Sequence, residues 1–384
     1  MDGLICDPGL NAESLLYRHQ EISASWLDRS VYWQQKAENP SRRDRHASVR
    51  KPLILSGHGV KLRIDRGTLL VQNGFTHYPQ KRETWRFFSG DWRLPSRIIV
   101  LDVDGSISFD VLSWLSRHDL PLIHLNWLGE VVNVVGATPS AANPTLRNAQ
   151  LAAAEAERNL RIAQGLLTEK IGASIETLRS VFPQSDAVDQ TVSNLRQRLS
   201  GLKENPLPSI AALLGIEGAV AQAYFGCWAN AEVQWTNTQK QPIPDEWRCI
   251  GRRTSKISTK AKPNRNATHP VNAMLNYAYG VLETQVRTEI IAAGLDPMIG
   301  IFHGGYREKL SLVYDLMEPL RPIVDRQVLA FVRKQVFSSA DFTLLDTGVC
   351  RLHPQLARQV VSVVSVADKA ELLVQAFIKD MKAR

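Results

Sequence analysis

Two patterns of apolar residues divide the chain into regions. Between residues 51 and 137, apolar and polar residues alternate in short runs that glycines interrupt, as in PLILSGHGVKLRIDRGTLLVQNG. This period of two predicts short β-strands joined by tight turns, with one helix in the segment FDVLSWLSRHD. After the linker ATPSAANP, apolar residues recur every three or four positions, and Ala, Leu, Glu and Arg are frequent. That second pattern predicts helices.

The predicted fold class is therefore α+β, with a small N-terminal β domain followed by a larger all-α domain. The β domain is expected at residues 51–137 and the α domain at residues 138–384. Residues 1–50 form a polar, helix-leaning extension whose sequence indicates no particular chemistry. Within the α domain, the later helices are expected at about residues 270–293, 310–335 and 354–382.

The composition excludes several classes of protein. The 384 residues are 44% hydrophobic, which is enough to build a sizeable core in two or more domains. No apolar run approaches about 18 residues, and the first residues lack the basic start and apolar stretch of a secretory signal. The four cysteines are scattered without a CxxC pair, which argues against a disulfide framework or a cysteine zinc site. We therefore expect a cytoplasmic protein with no membrane association.

The net charge of +8 is concentrated in one segment. Residues 240–265 carry eight basic and two acidic residues, and their prolines and small polar residues predict a surface loop. One interpretation is a solvated loop whose charges serve solubility. The other is a loop that contacts nucleic-acid phosphates, because Lys and Arg neutralise phosphates and release counterions. The sequence pattern leaves both open.

One carboxylate stands out on an apolar helix. Glu217 lies in LLGIEGAVAQAYF, where most of the other side chains are apolar or small and no other is charged. A carboxylate buried without a partner is costly, so Glu217 needs a cation, a hydrogen-bond donor or a metal ion. A salt bridge to a neighbouring helix and a metal site are the two alternatives.

A second group of candidate residues lies in GIFHGGYREKLSLVYDLMEPLRPIVDRQV. His303 is placed where a glycine-rich turn meets a helix, and Asp315, Glu318 and Arg321 follow at spacings of three on one helical face. Carboxylates with one imidazole suit Mg²⁺ or Mn²⁺ better than Zn²⁺. The alternatives are a structural histidine and a set of surface ion pairs.

A third motif imitates a catalytic signature. The run IIVLDVDGSIS resembles the strand and DxDG motif of haloacid-dehalogenase-like phosphatases, in which Asp102 would be the nucleophile and Asp104 its neighbour. The short flanking β elements and the Ser106 in place of threonine argue against that function. Instead, the Asp104–Gly105 pair predicts a hairpin turn.

Five stretches together resemble one known family. They are ISFDVLSWLSRHDLPLIHL, TLRNAQ, LLGIEGAVAQAYF, HPVNAMLNYAYGVL and GLDPMIGIFHGGYREKLSLVYDLMEPLRPIVD. Their sequence is similar to the CRISPR-associated integrase and DNA endonuclease family, over roughly residues 51–360. The last two stretches are long and specific.

The resemblance implies roles for individual residues. Glu217, His303 and Glu318 match the family's divalent-metal ligands, and Asp315 matches an acidic neighbour in the catalytic site. Two asparagines, Asn272 and Asn276, match positions that shape the pocket. The residues expected to contact DNA are Arg321, the matching pair Arg252 and Arg253, and four further cations of the basic loop, which are Lys256, Lys260, Lys262 and Arg265.

The resemblance also implies an activity and partners. The family's enzymes insert spacers into a CRISPR array in antiviral defence, so the implied reaction is Mg²⁺- or Mn²⁺-dependent transesterification. A DNA 3′-hydroxyl attacks a phosphodiester of the repeat, and water in its place gives endonuclease activity. The implied partners are double-stranded DNA (spacer precursor and repeat), a second copy that makes a homodimer through the β domain, and a small ferredoxin-like protein. A catalytically inactive DNA-binding scaffold and a transposon-type integrase outside CRISPR stay open as alternatives.

Overall fold

The computed structural model of the protein describes most of the chain. The described residues are 26–35, 52–75, 82–126, 129–136, 143–155, 157–205, 207–229, 231–250, 267–301, 310–346 and 348–382. The first of these segments, residues 26–35, is a helix that we call α1. The candidate ligand His303 and the loop cations from Arg252 to Arg265 lie outside the described residues. Among the residues described, no helix is both long enough and apolar enough to cross a bilayer.

The alternating N-terminal segments form a mixed β-sheet. Its strands are β1 (Leu53–Asp65), β2 (Thr68–Gln72), β3 (Thr84–Phe87), β4 (Ile98–Ile107), β5 (Leu122–Leu125) and β6 (Val131–Val135). The sheet order is β3-β2-β1-β4-β5-β6, in which β4 runs parallel to both of its neighbours and the other pairs are antiparallel. The helix predicted between strands is α2 (Phe109–Arg117), and its buried Val111, Trp114 and Leu115 pack on one face of the sheet.

The predicted hairpin turn at Asp104–Gly105 is wrong. Both residues lie inside β4, paired with His58 and Val60 of β1 where the register is irregular. A Cβ on Gly105 would lie 2.1 Å from the carbonyl oxygen of Val60, so the glycine permits a close approach of two strands. The Asp-Gly pair therefore lies at an irregularity in the pairing of β4 with β1, and not in a turn.

The helices follow the sheet in the chain, which confirms the predicted α+β class. They are α3 (Pro144–Glu155), α4 (Glu157–Val181), α5 (Asp186–Glu204), α6 (Ile210–Gly226), α7 (Pro270–Ala292), α8 (Ser311–Met317), α9 (Arg321–Arg333), α10 (Pro354–Val363) and α11 (Ala367–Lys382). The expectation that this domain is all-α is wrong in one place. An antiparallel hairpin of β7 (Phe342–Leu344) and β8 (Cys350–Leu352) lies between α9 and α10.

Two segments predicted as single helices are each divided. Residues 310–335 form α8 and α9, and Pro322 stands in the first turn of α9. A proline has no backbone N–H to donate, so it suits a new helix start better than the interior of a continuous helix. Residues 354–382 likewise form α10 and α11, with extended backbone at Val364. The first division places Glu318 at the end of α8, immediately before the turn.

The sheet and the helices share one hydrophobic core. Ile54, Ile99 and Ile123 on the sheet belong to the same buried cluster as the helical core residues. The turn before β6 comes very near to α7, where Gly129 of the turn faces Gly280 of the helix. A Cβ at Gly280 would lie 2.0 Å from the carbonyl oxygen of Gly129, so only glycine allows the turn to rest on the helix. The sheet is thereby held against α7, one of the helices that form the candidate site.

The helix α1 is part of this helical domain, although its segment reads as a polar extension. The Trp33 side chain is fully buried, and its indole N–H donates to the Asp341 carboxylate at 2.8 Å. Arg29 forms an ion pair with the same carboxylate at 2.8 Å. The Gln359 side chain of α10 donates to the backbone carbonyl of Trp33 at 3.2 Å. The N-terminal segment therefore contributes to the core of the C-terminal helices.

Candidate active site

Two candidate carboxylates from separate helices meet at one lysine. Glu217 lies in α6, whose N-cap Ser209 accepts a hydrogen bond from the N–H of Ala212, and Glu318 caps the end of α8. Lys170 of α4 donates from Nζ to Glu217 Oε1 and to Glu318 Oε2, each at 2.6 Å. The three side chains are only 11–17% exposed, so their charges are largely removed from water. Such a cluster is tolerated because the charges are paired at hydrogen-bond distance.

A second cation completes the charge balance of this cluster. Arg321 Nε lies 2.9 Å from Glu318 Oε1, so two carboxylates face two cations. Burial acts to lower the pKa of Lys170, but the nearby Glu318 and Glu217 carboxylates outweigh it, and the pKa lies above its ordinary value. Lys170 is therefore charged, and it holds the two carboxylates at one point.

Glu318 and Lys170 border a small cavity. The cavity has a volume of about 160 Å³, and its lining includes Lys170, Ser174, Glu318 and Arg321. Tyrosines and an aspartate form another part of its wall: Asp325 accepts hydrogen bonds from the hydroxyls of Tyr224, at 3.1 Å, and Tyr279, at 2.5 Å.

Aromatic side chains around the cavity help to hold Arg321 in place. The Arg321 guanidinium lies 4.9 Å from the centre of the Tyr279 ring, within cation–π range. Burial and the adjacent Asp325 carboxylate hold the pKa of Tyr224 well above its ordinary value, so the phenol is a neutral donor. The arrangement fixes Arg321 beside Glu318 at the edge of the cavity.

Asp315 has a different set of contacts from Glu318. Its side chain is completely buried, and its Oδ2 accepts a hydrogen bond from the backbone N–H of Ile301. A Cβ on Gly300 would lie 2.9 Å from the same oxygen. Asp315 thus holds the chain immediately before residue 302, in the segment that leads to His303. Its described contacts are those of a residue that positions this segment.

The two asparagines lie on α7. Asn272 is buried, and its Oδ1 has no hydrogen-bond partner among the described residues. Asn276 is half-buried, and its backbone lies against the Gly129 turn. Neither residue lines the cavity beside Lys170.

The N-terminus of α7 is set by a histidine that must be neutral. His269 Nδ1 accepts from the N–H of Val271 at 3.1 Å, so the ring proton is on Nε2, which donates to the carbonyl of Cys249 at 2.9 Å. Burial lowers the pKa of His269 to about 4. Protonation of Nδ1 would remove the cap and charge a buried ring.

We expect acid to destabilise the protein through His269. Its pKa when folded, about 4, is below the value of about 6.5 in an unfolded chain. The stability that the neutral His269 ring contributes is therefore complete above pH 6.5 and is lost as the pH falls towards 4. The full effect is about 3 kcal/mol. Urea unfolding at pH 7 and pH 4.5 measures it, with His269→Asn as the control that keeps a capping oxygen and does not titrate. The same pH dependence in both proteins would contradict the assignment.

Sequence reasoning missed several residues around the cavity, among them Lys170, Tyr224, Tyr279 and Asp325. The signal for Lys170 was available, because it lies on the stripe formed by the buried Leu166, Leu167, Ile171 and Ile175. A charge on an apolar helical stripe is the same feature that identified Glu217. For the other three residues no local pattern distinguishes a cavity wall from ordinary core.

Comparison with known proteins identifies the family. The family model "CRISPR associated protein Cas1" matches residues 53–365. A CRISPR-associated endonuclease Cas1 from Methanospirillum hungatei is 30% identical over 316 residues, which is 81% of this chain and 86% of the relative. The chain therefore belongs to the CRISPR-associated Cas1 family.

Solved structures show the same fold. A casposase bound to its integration product has a TM-score of 0.63 at 24% identity, over 85% of this chain and 91% of that chain. The Cas6-RT-Cas1–Cas2 complex contains a chain with a TM-score of 0.62 at 19% identity, over 87% of this chain and 35% of that chain. The resemblance given by the sequence motifs is thus confirmed at the level of family and fold.

Proposed function

We propose that the protein is a divalent-metal-dependent DNA integrase and endonuclease of CRISPR adaptation. The observation that carries the proposal is the meeting of Glu217 and Glu318, from separate helices, within hydrogen-bond distance of one cation. Two carboxylates directed at one cationic centre are the donor set that Mg²⁺ and Mn²⁺ prefer. Because no group of three candidate ligands occurs among the described residues, the third ligand is assigned to His303, from the sequence.

The residues present suit phosphodiester chemistry. When bound, Mg²⁺ or Mn²⁺ supplies Lewis-acid polarisation of a phosphate oxygen and lowers the pKa of the attacking hydroxyl. Glu217 and Glu318 would hold the ion, and Asp315 would position the segment that carries His303. Arg321, fixed over Tyr279, would place a positive charge beside the reacting phosphate. The DNA 3′-hydroxyl displaces the 3′-oxygen of the target strand, and the displaced oxygen leaves as the new 3′-hydroxyl.

A strand-transfer assay tests this function. The assay uses a labelled double-stranded DNA end and a plasmid that contains a CRISPR repeat, with Mg²⁺, Mn²⁺ or EDTA. We expect joined product with either metal and none with EDTA, and a 3′-deoxy end should abolish joining but not cleavage. Joining in EDTA would contradict the metal site. DNA binding without any joining or cleavage would favour the inactive scaffold.

The proposed partners follow from the resemblance and find support in the comparisons. The casposase structure contains an integration product, and another related chain comes from a complex that includes Cas2. We propose double-stranded DNA, a second copy of the chain and a small ferredoxin-like protein as partners, in the cytoplasm. The casposase similarity also favours a second candidate, a transposon-type integrase. Equal joining to plasmids with and without the repeat would support that alternative.

The basic loop yields a prediction about DNA affinity. Replacing Arg252, Arg253, Lys256 and Lys260 by Ala should weaken DNA binding and flatten its dependence on salt. Loss of four phosphate contacts would reduce the slope of log K against log salt by up to about 3.6. Fluorescence anisotropy across a salt series measures this slope.

A matched control separates loop contacts from net charge. Lys61, Arg63, Arg66 and Arg117 are exposed on the β domain, and replacing all four by Ala removes the same charge. The slope should change less in this control. Equal slopes in the two variants would show that the loop is not the DNA-contacting surface.

A further inference from the structure

The lysine between the two proposed metal ligands occupies the position that their shared ion would need. Lys170 Nζ lies 2.6 Å from one oxygen of Glu217 and 2.6 Å from one oxygen of Glu318. A divalent ion that binds both carboxylates must also lie between them, at oxygen distances of about 2.1 Å for Mg²⁺. An ammonium group and a divalent ion cannot share that point, so binding of the ion requires Lys170 to move.

The surroundings of Lys170 are suited to such a movement. Lysine reaches the carboxylates through four methylene groups, so its Nζ can shift without a change in α4. The side chain lines the cavity of about 160 Å³, which also presents Ser174 and Asp325. A displaced ammonium group therefore has space and polar atoms close to its starting position.

The charge of the cluster gives Lys170 a function before the ion arrives. Glu217 and Glu318 lie close together and are largely buried, and two such carboxylates repel each other. Arg321 pairs with Glu318 only, among the described contacts, whereas Lys170 pairs with both. Lys170 thus holds the two carboxylates directed at a common point.

We propose that Lys170 is an internal counter-ion that positions Glu217 and Glu318 and is exchanged for the divalent ion when the ion binds. The proposal rests on the metal site of the proposed function and adds a positioning residue to it. It implies that Lys170 opposes metal binding, both by occupying the carboxylates and by repelling a second cation. The cation therefore binds more weakly than two free carboxylates would allow.

The test is a direct measurement of Mn²⁺ binding by the whole protein without DNA. Titration followed by electron paramagnetic resonance gives the dissociation constant for wild type, Lys170→Met and Lys170→Arg. We expect Lys170→Met to bind Mn²⁺ at least tenfold more tightly, because the methionine fills similar space without a charge. Lys170→Arg should stay within about threefold of wild type. The matched control is Lys203→Met at an exposed lysine of α5, which should bind as wild type does.

Thermal unfolding supplies a second readout that does not depend on catalysis. Without metal, Lys170→Met should unfold at a lower temperature than wild type, since two carboxylates lose their shared partner. Saturating Mn²⁺ should raise the unfolding temperature of Lys170→Met more than that of wild type. A purely structural lysine would lower the unfolding temperature equally with and without metal, which would overturn the proposal.

The outcomes separate this inference from the proposed function. Unchanged or weaker Mn²⁺ binding by Lys170→Met, with binding by wild type, would overturn the counter-ion role and leave the metal site in place. If neither protein binds Mn²⁺, both the metal site and the inference fail. Adding Glu217→Gln to Lys170→Met should abolish the tight binding, and its persistence would place the ion at other ligands.

Discussion

Replacing Glu217 with Gln should lower the rate of strand transfer at least about 1,000-fold. The amide has almost the same shape as the carboxylate, but it is neutral and binds a hard divalent ion poorly. A bound metal ion contributes several kcal/mol of transition-state stabilisation, and losing about 4 kcal/mol corresponds to that factor. Single-turnover joining of a labelled DNA end in Mn²⁺ measures the rate.

The structure indicates that this variant should fold. Lys170 keeps its 2.6 Å contact with Glu318, so no buried cation is left without a partner. DNA binding should also persist, because the proposed phosphate contacts lie in the basic loop. The control is Glu204→Gln, at an exposed glutamate near the end of α5, which should join DNA at the wild-type rate. Full activity of Glu217→Gln would remove Glu217 from the catalytic site.

The sequence predicted those features of the site that have a local signal. Glu217 was identified because a carboxylate on an apolar helix requires a partner. The two alternatives for that partner were a cation on a neighbouring helix and a metal ion. The salt bridge to a neighbouring helix is present, to Lys170 of α4, and its geometry is also what supports the proposed metal site. Helix and strand periods likewise predicted the α+β class, because burial on one face imposes these periods directly.

What the sequence did not predict depends on contacts between distant segments. Lys170 is 47 positions from Glu217 and 148 positions from Glu318, and no local pattern records that they converge. The Asp104–Gly105 prediction failed for a related reason. Glycine serves both tight turns and close strand approaches, and only the position of Val60 on the neighbouring strand distinguishes the two.

Replacing Trp33 with Ala should destabilise the protein by about 3–5 kcal/mol, the usual cost of removing a buried aromatic side chain. The Trp33 indole is fully buried and packs beside the rings of Phe331 and Phe337, with ring centres at 5.7 and 6.2 Å. It also donates to Asp341, whose side chain is itself buried. The substitution therefore leaves a cavity and removes one of the donors that stabilise a buried carboxylate. Urea unfolding at pH 7 gives the change in free energy.

One further variant separates the hydrogen bond of Trp33 from its packing, and another serves as a control. Trp33→Phe keeps an aromatic ring but loses the indole N–H, so it should cost about 1–3 kcal/mol. Val31→Ala on the same helix is the matched control, and since Val31 is 41% exposed its cost should stay below about 0.5 kcal/mol. If Trp33→Ala were as stable as Val31→Ala, α1 would not be part of the folded core. A large loss would instead mean that an N-terminal segment of polar appearance stabilises the C-terminal helices, since Trp33 reaches Asp341 across 308 positions of the chain.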